Sequence, residues 1–409
     1  MTQVALSPVL NQQMPNPSPA SDTSHNACCL ARIWGCFINA LYSCFRCIGD
    51  LLCLRSLASP PLGRTNPQVT EVVRVIIGEQ SLQTQTLPVV SQLLKPGFFV
   101  EVLNRGGYSL AGKDVIIPPA GVPVKFTPSN DKNFTESLST LKGTYKINDQ
   151  QKIEFQFKDR TTEEAINESS SSRIALNFAN EHHIGGGPGF HKDEKTSLFV
   201  YDAPSARAQE ESLAQRSDLL VSLTQLSHTL KADSPSSRFT RGYYTEEFDS
   251  RKMAYVSLNH LFAVQEGTDF YQSRYLSEPK AVAFFTSAGK YHGSSANIDC
   301  SQSSDVYLDA RQRIQTHLLA AAFRAGLSKA EKPDEPVELI LGAFGCGAFA
   351  PQKNPDSYRE MIAGIYKELL PEFHGFFNFV TFAVPTFGSA DTSLPAVANH
   401  TLFKRVLTS

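Results

Sequence analysis

The sequence predicts an α/β fold with a sheet covered on both faces, and three observations predict it. Continuous apolar runs recur at 174–179, 255–258, 281–286, 337–341 and 377–384. Helix-period segments alternate with them at 205–223, 311–325 and 356–370. Strands that are apolar throughout need cover on both sides, which intervening helices supply. Finally, two of the strands lead into glycine-rich segments, Gly185-Gly186-Gly187 and Gly342 to Phe349. Loops of this kind let backbone approach a ligand without Cβ clashes.

The chain has 409 residues, enough for one large domain or two ordinary ones. Its 38 basic and 40 acidic residues give a formal charge of −2. That balance argues against broad capture of nucleic acid, and no specific nucleic acid binding is expected. Six of the eight cysteines lie between Cys28 and Cys53, with only Cys300 and Cys346 beyond them. A disulfide-built secreted domain would spread its cysteines through the core, so the main body reads as folded under reducing conditions.

Residues 1–27 are rich in Ser, Pro, Asn and Gln and hold no Lys or Arg, which reads as a disordered tail. With no basic region before the apolar stretch, no cleavable signal peptide is expected. Residues 28–54 form a Cys-rich apolar segment. Its most apolar part, 33–45, is too short to span a bilayer. As a helix it would carry Trp34, Ile38, Leu41 and Phe45 on one face, which suits a membrane interface. Docking on the body or on a partner is the competing reading. Cys44-Phe45-Arg46-Cys47 has no second pair at zinc spacing. The expected location is cytoplasmic with membrane association through 28–54, and delivery into another cell by a dedicated secretion system stays open.

Residues 55–94 read as a linker, with Pro60-Pro61 as a breaker. Residues 95–170 read as an accessory region packed on the main domain, with strand-like runs at 97–103, 114–118, 122–127 and 152–157. The main domain is expected over 171–390, followed by a C-terminal tail at 391–409. Within it, Ile314, Leu318, Ala321 and Ala322 make a buried helical stripe with Gly326 as a stop. Ser357-x-x-Glu360 has the form of a capping box.

The chemistry-bearing residues cluster around the two glycine segments. Asn177 and Asn180 bracket Phe178 at a strand end, and Asn offers the donor and acceptor that ribose hydroxyls need. Gln209-Glu210-Glu211 stands at a helix start, where the ionised carboxylates are favoured. Neighbours on a helix point about 100° apart, so the two Glu cannot act as equals. One can reach a reactive carbon while the other braces it. The second loop could form a nest for a diphosphate. It lacks the Lys-Ser/Thr of a P-loop and Rossmann spacing, which counts against nucleotide hydrolysis and hydride transfer. Adjacent His182 and His183 point apart on regular backbone, and neither a metal nor a cofactor is expected.

Together these residues resemble the microbial-type poly(ADP-ribose) glycohydrolases, a branch of the macrodomain superfamily. The resemblance rests on Asn177-Phe178-Ala179, Gly185-Gly186-Gly187, Gln209-Glu210-Glu211 with Ser212, Leu213, Arg216, Ser217 and Leu219 after it, and Leu341 to Phe349. It covers roughly 95–390. It implies a macrodomain-like three-layer α/β/α sandwich with an N-terminal accessory region. It also implies an ADP-ribosyl glycohydrolase acting on ADP-ribosylated protein or poly(ADP-ribose). By the same resemblance Glu211 would be the catalytic acid, its pKa raised by burial against ligand and aromatic groups, and Glu210 would hold the ribose. Asn177, Asn180, Gly185, Gly186, Gly187 and Gln209 would line the substrate, and Gly345, Cys346, Gly347, Ala348 and Phe349 would meet the diphosphate and proximal ribose.

One departure from the family pattern is the long insertion 188–208 between the glycines and Gln-Glu-Glu. It could restrict the substrate to mono-ADP-ribosyl groups, admit one protein partner, or bring Asp193 or Asp202 in as the acid. The polar stretch 231–251 is a second candidate for partner contact or a lid. A non-catalytic ADP-ribose reader and a membrane-associated interaction protein are the competing functional classes.

Overall fold

The structure is a computed structural model. It describes residues 98–118, 120–128, 133–181, 184–185, 190–192, 199–201, 208–231, 240–244, 248–265, 274–293, 297–391 and 393–409. The tail, the Cys-rich segment and the linker expected over 1–94 therefore lie outside the described residues, as do His182, His183, Gly186, Gly187, Asp193 and Asp202.

A seven-stranded mixed sheet organises the chain. In spatial order it runs β3 (Val124–Phe126), β10 (Ala254–Gln265), β11 (Arg274–Ala288), β5 (Ser172–Ala179), β12 (Val337–Leu341), β13 (Phe379–Ala383) and β4 (Glu154–Lys158). From β11 to β4 every neighbouring pair is parallel, while β3 and β11 both pair antiparallel to β10. The carboxyl ends of β11, β5, β12 and β13 thus share one edge, where loops of open α/β sheets converge on ligands.

Alternate residues of each strand face opposite layers. Ile174 and Leu176 of β5, with Leu339 and Leu341 of β12, pack under α6 (Asp305–Glu331), α7 (Pro355–Leu369) and α8 (Pro395–Thr408). Ala175 and Ala179, with Ile340 and Phe284, face α3 (Thr162–Glu168), α4 (Gln209–Ala214) and α5 (Leu219–Thr224). Both faces are buried, so the uninterrupted apolar strands have their cover and the three-layer α/β/α sandwich is formed.

Several expectations need correction. The run at 97–103 is a helix, α1 (Phe98–Arg105), not a strand. Its Val102 and Leu103 pack with Tyr108, Val115 and Tyr275 in a small separate core, and a short apolar run does not reveal its own period. Nor does a boundary fall near 171. Strands β3 and β4, expected in an accessory region, close the two edges of the main sheet. What does stand beside the sheet is the hairpin of β1 (Gly107–Leu110) and β2 (Lys113–Ile116).

The segment 205–223 is not one helix. Residues 215–218 separate α4 from α5, and Ser217 caps the break by donating its hydroxyl to the Leu213 carbonyl at 2.9 Å. The expected tail at 391–409 is α8, whose Phe403 is fully buried against Phe382. Helix α7 starts at Pro355 after Asn354, so Ser357 lies inside it and forms no capping box.

Gly326 does not stop α6 but sits within it. A Cβ there would fall 2.1 Å from the ring of Tyr145 on α2 (Phe134–Tyr145), so the glycine is what lets the two helices meet. Two hairpins lie in and beside the segments 188–208 and 231–251, β6 (Phe190–Lys192) with β7 (Phe199–Tyr201) and β8 (Ser227–Lys231) with β9 (Thr240–Tyr244). β6 packs beside β8 and β9, and β7 beside α1.

Candidate active site

The site begins at the end of β5. Asn177 is fully buried, and its amide donates to Glu210 Oε1 at 3.5 Å and reaches Thr286 Oγ1 of β11 at 3.4 Å. Glu210, also buried, takes the backbone N–H of Gly185 on Oε1 at 3.3 Å and that of Asn180 on Oε2 at 3.2 Å. One carboxylate thus fastens both the strand end and the start of the Gly185–Gly187 loop to α4. Gly185 itself has φ +81°, a conformation other residues avoid.

Gln209 does a comparable task one residue earlier. Its Oε1 accepts from the Phe178 N–H at 2.9 Å, and its Nε2 donates to the Leu176 carbonyl at 2.7 Å. The side chain pairs with β5 as a neighbouring strand would. Gln209 and the Asn177 amide nitrogen, both expected to line the substrate, make protein contacts around Glu210, while Asn177 Oδ1 accepts no hydrogen bond from the described residues. Asn180 is half-buried at the strand end, and Glu211 is 6% exposed.

Electrostatics separates the site from a solvated helix start. Burial, then the charge of Glu211, pushes the Glu210 carboxyl up to about 8, although Gly185, Asn177 and Asn180 all favour its ionised form. At Glu210 desolvation outweighs what a six-residue helix start contributes toward ionisation. A carboxyl raised this far keeps its proton near neutral pH.

A stability test follows from the sign of this shift. Below about pH 4.5, folded and unfolded chains both hold the Glu210 proton and the contribution is complete. Between 4.5 and about 8 the unfolded chain releases a proton that the fold retains, so stability falls as pH rises. The slope approaches about 1.4 kcal/mol per pH unit. Calorimetric melts from pH 5 to 8 should therefore fall more steeply for the wild type than for Glu210→Gln, and parallel slopes would refute the assignment.

The second loop leaves β12 beside the first. Phe178 of β5 meets Phe344 edge-on at 6.2 Å, which joins the roots of the two loops. Gly345 has φ +70° and passes so close to Gly289 that a Cβ on Gly289 would stand 2.9 Å from the Gly345 Cα. The Cys346 thiol points into the core, donating to the Phe344 carbonyl at 3.4 Å, and burial pushes its pKa up. Only the backbone of Cys346 is left to serve a ligand. Gly347 and Ala348 are exposed, and a Cβ on Gly347 would meet no atom within 4 Å. Phe349 is half-buried, with the exposed Tyr291 ring against it edge-on at 5.8 Å.

Thr286 belongs to the Ala281–Ala288 strand whose Thr-x-Ala end is part of the family resemblance, whereas Gly289 and Tyr291 were not expected at the site. The signal was present in the run Thr286 to Gly289 at the end of β11, which sheet order places next to β5. Among the described residues, no group of three or more His, Cys, Asp or Glu could hold a metal ion.

Known proteins can be set beside this geometry. A crystal structure of poly(ADP-ribose) glycohydrolase (PARG) from Deinococcus radiodurans in complex with ADP-ribose is similar at 23% identity, covering 70% of this chain and 94% of that one, with a TM-score of 0.44. A second crystal form of that complex gives 24% identity, the same coverage and a TM-score of 0.45. The apo form gives 21%, 70% and 93% coverage, and 0.41. No curated protein matches. Residues 99–257, which hold the first glycine loop and Gln209-Glu210-Glu211, match the family model of the microbial-type PARG catalytic domain.

Proposed function

We propose that the protein is an ADP-ribosyl glycohydrolase, cleaving the ribosyl glycosidic bond of ADP-ribosylated protein or poly(ADP-ribose). One observation carries this reading. A buried carboxylate pair is fixed by strand-end backbone at the sheet edge where a second, open glycine loop lies, within the stretch that matches the family model. Glu211 donates its proton to the leaving oxygen. The C–O bond breaks with its electron pair on that oxygen, through an oxocarbenium-like state. Water attacks the anomeric carbon and returns a proton to Glu211, the logic of glycoside hydrolysis. Glu210 fastens the strand end and the Gly185 segment beside Glu211 and holds the ribose.

Gly345, Gly347 and the backbone of Cys346 receive the diphosphate, with Asn180 and Phe349 at the riboses. Incubation with mono- and poly-ADP-ribosylated proteins, read as free ADP-ribose, tests the reading. Binding of ADP-ribose without release from either substrate would replace it by a reader.

We further propose that residues 28–54 place the protein on a membrane surface. Support comes from the sequence alone. Trp34, Ile38, Leu41 and Phe45 recur at helical spacing, and each large apolar side chain contributes roughly 1.5–3 kcal/mol when buried. Removing residues 1–60 should abolish sedimentation with lipid vesicles while ADP-ribose release continues. Full-length protein that never sediments would favour a segment docked on protein.

A further inference from the structure

A buried guanidinium at the carboxyl ends of β5 and β11 touches the site from three sides. Arg313 of α6 is 5% exposed. Its Nη1 donates to the Glu181 carboxylate, one residue past Asn180, and to the Ala288 carbonyl at 3.1 Å, the last residue of β11. Its Nε donates to Asp309 Oδ2 at 2.7 Å on its own helix.

Those contacts sit at the roots of both glycine loops. Glu181 opens the segment that leads to Gly185, whose N–H is held by Glu210. Ala288 precedes Gly289, which lies against Gly345 of the second loop. Ala288 is held on its other side as well, its N–H donating to Ser250 Oγ at 2.8 Å. The network extends outward from Asp309 to Arg251 Nε at 3.8 Å, and Arg251 closes on Asp249 at 2.8 Å. Asp309, Arg313 and Glu181 therefore form a chain of alternating charge from the helix to the rim.

We propose that Arg313 is a positioning residue that locks the two glycine loops in mutual register through Glu181 and Ala288. The group touches no substrate. It acts by holding the Gly185 segment, and with it the Glu210–Glu211 pair, at a set distance from the Gly345–Phe349 loop. The buried guanidinium is held by Asp309, Glu181 and the Ala288 carbonyl together, and bonds of this kind strengthen where the surroundings are of low dielectric. A catalytic group displaced by about 1 Å can lose on the order of 100-fold in rate. The consequence for turnover rests on the glycohydrolase reading, whereas the consequence for the loops does not.

The test uses the full-length chain and two readouts. In amide hydrogen exchange, Arg313→Lys and Glu181→Gln should speed exchange at residues 184–185 and 345–349, while Val337–Leu341 stays protected. Glu181→Gln alters the outer end of the network, so the fold survives even where an Arg313 variant fails to refold. In ADP-ribose release, both variants should lower kcat by roughly 10- to 100-fold with KM changed far less. The double variant should fall no further than the worse single one. Unchanged exchange at both loops would overturn the proposal whatever the enzyme assay shows, as would multiplicative loss in the double variant. Faster loop exchange in a protein that releases no ADP-ribose would uphold the lock and count against the function proposed above.

Discussion

Glu211→Gln abolishes release of ADP-ribose while leaving ADP-ribose binding intact. The loss in kcat is roughly 10²–10⁴-fold, the contribution of a positioned general acid. The substitution removes the proton donor and changes the side-chain volume little. It also leaves Glu210 with its partners Asn177, Gly185 and Asn180, so the strand end and the first loop stay in place. Single-turnover release and calorimetry with ADP-ribose, on one preparation, separate the two effects. Undiminished release would move the acid elsewhere, with Asp193 and Asp202 of the 188–208 segment the next carboxylates to replace.

Gly347→Val abolishes binding and leaves the fold alone. A Cβ at this position meets no protein atom within 4 Å, so the branched side chain projects into open space. In the proposed complex that space holds the diphosphate. The loss of two charge-assisted backbone hydrogen bonds, at about 1.5–3 kcal/mol each, weakens affinity by roughly 100-fold or more. Unchanged melting with no measurable heat of ADP-ribose binding is the expected pair of results. Unchanged affinity would reduce the second loop to a structural turn. The contrast with Gly345 is useful, because its positive φ and the nearby Tyr358 hydroxyl would strain the fold on substitution. Only Gly347 reports on the ligand without that complication.

Much of the site was legible because its chemistry is local in sequence. The Asn177-Phe178-Ala179 strand end, the glycines and Gln209-Glu210-Glu211 each lie within a few residues, and strand periodicity places them at a loop edge. The buried partnerships within the site were not legible. Asn177 and Gln209 look like ligand contacts in a sequence, since amides suit ribose, yet Gln209 and the Asn177 amide nitrogen also tie β5 to α4. A sequence shows which groups can form hydrogen bonds but not which partner reaches them first.

The same division runs through the fold. By itself the sequence determined the alternation of apolar strands and amphipathic helices, and therefore a sheet covered on both faces. Only the tertiary structure decided that β3 and β4 complete that sheet, because edge pairing between residues far apart leaves no local mark. It also decided that 98–105 is a helix, since its short apolar run fits either period until Tyr108, Val115 and Tyr275 fix the face. Gly326 reads as a helix stop locally and is a packing notch in three dimensions, where the ring of Tyr145 takes the room a side chain would need. Arg313 illustrates the limit most fully. Its partners at 181 and 288 are distant in sequence, and only the parallel pairing of β5 with β11 brings them to one guanidinium.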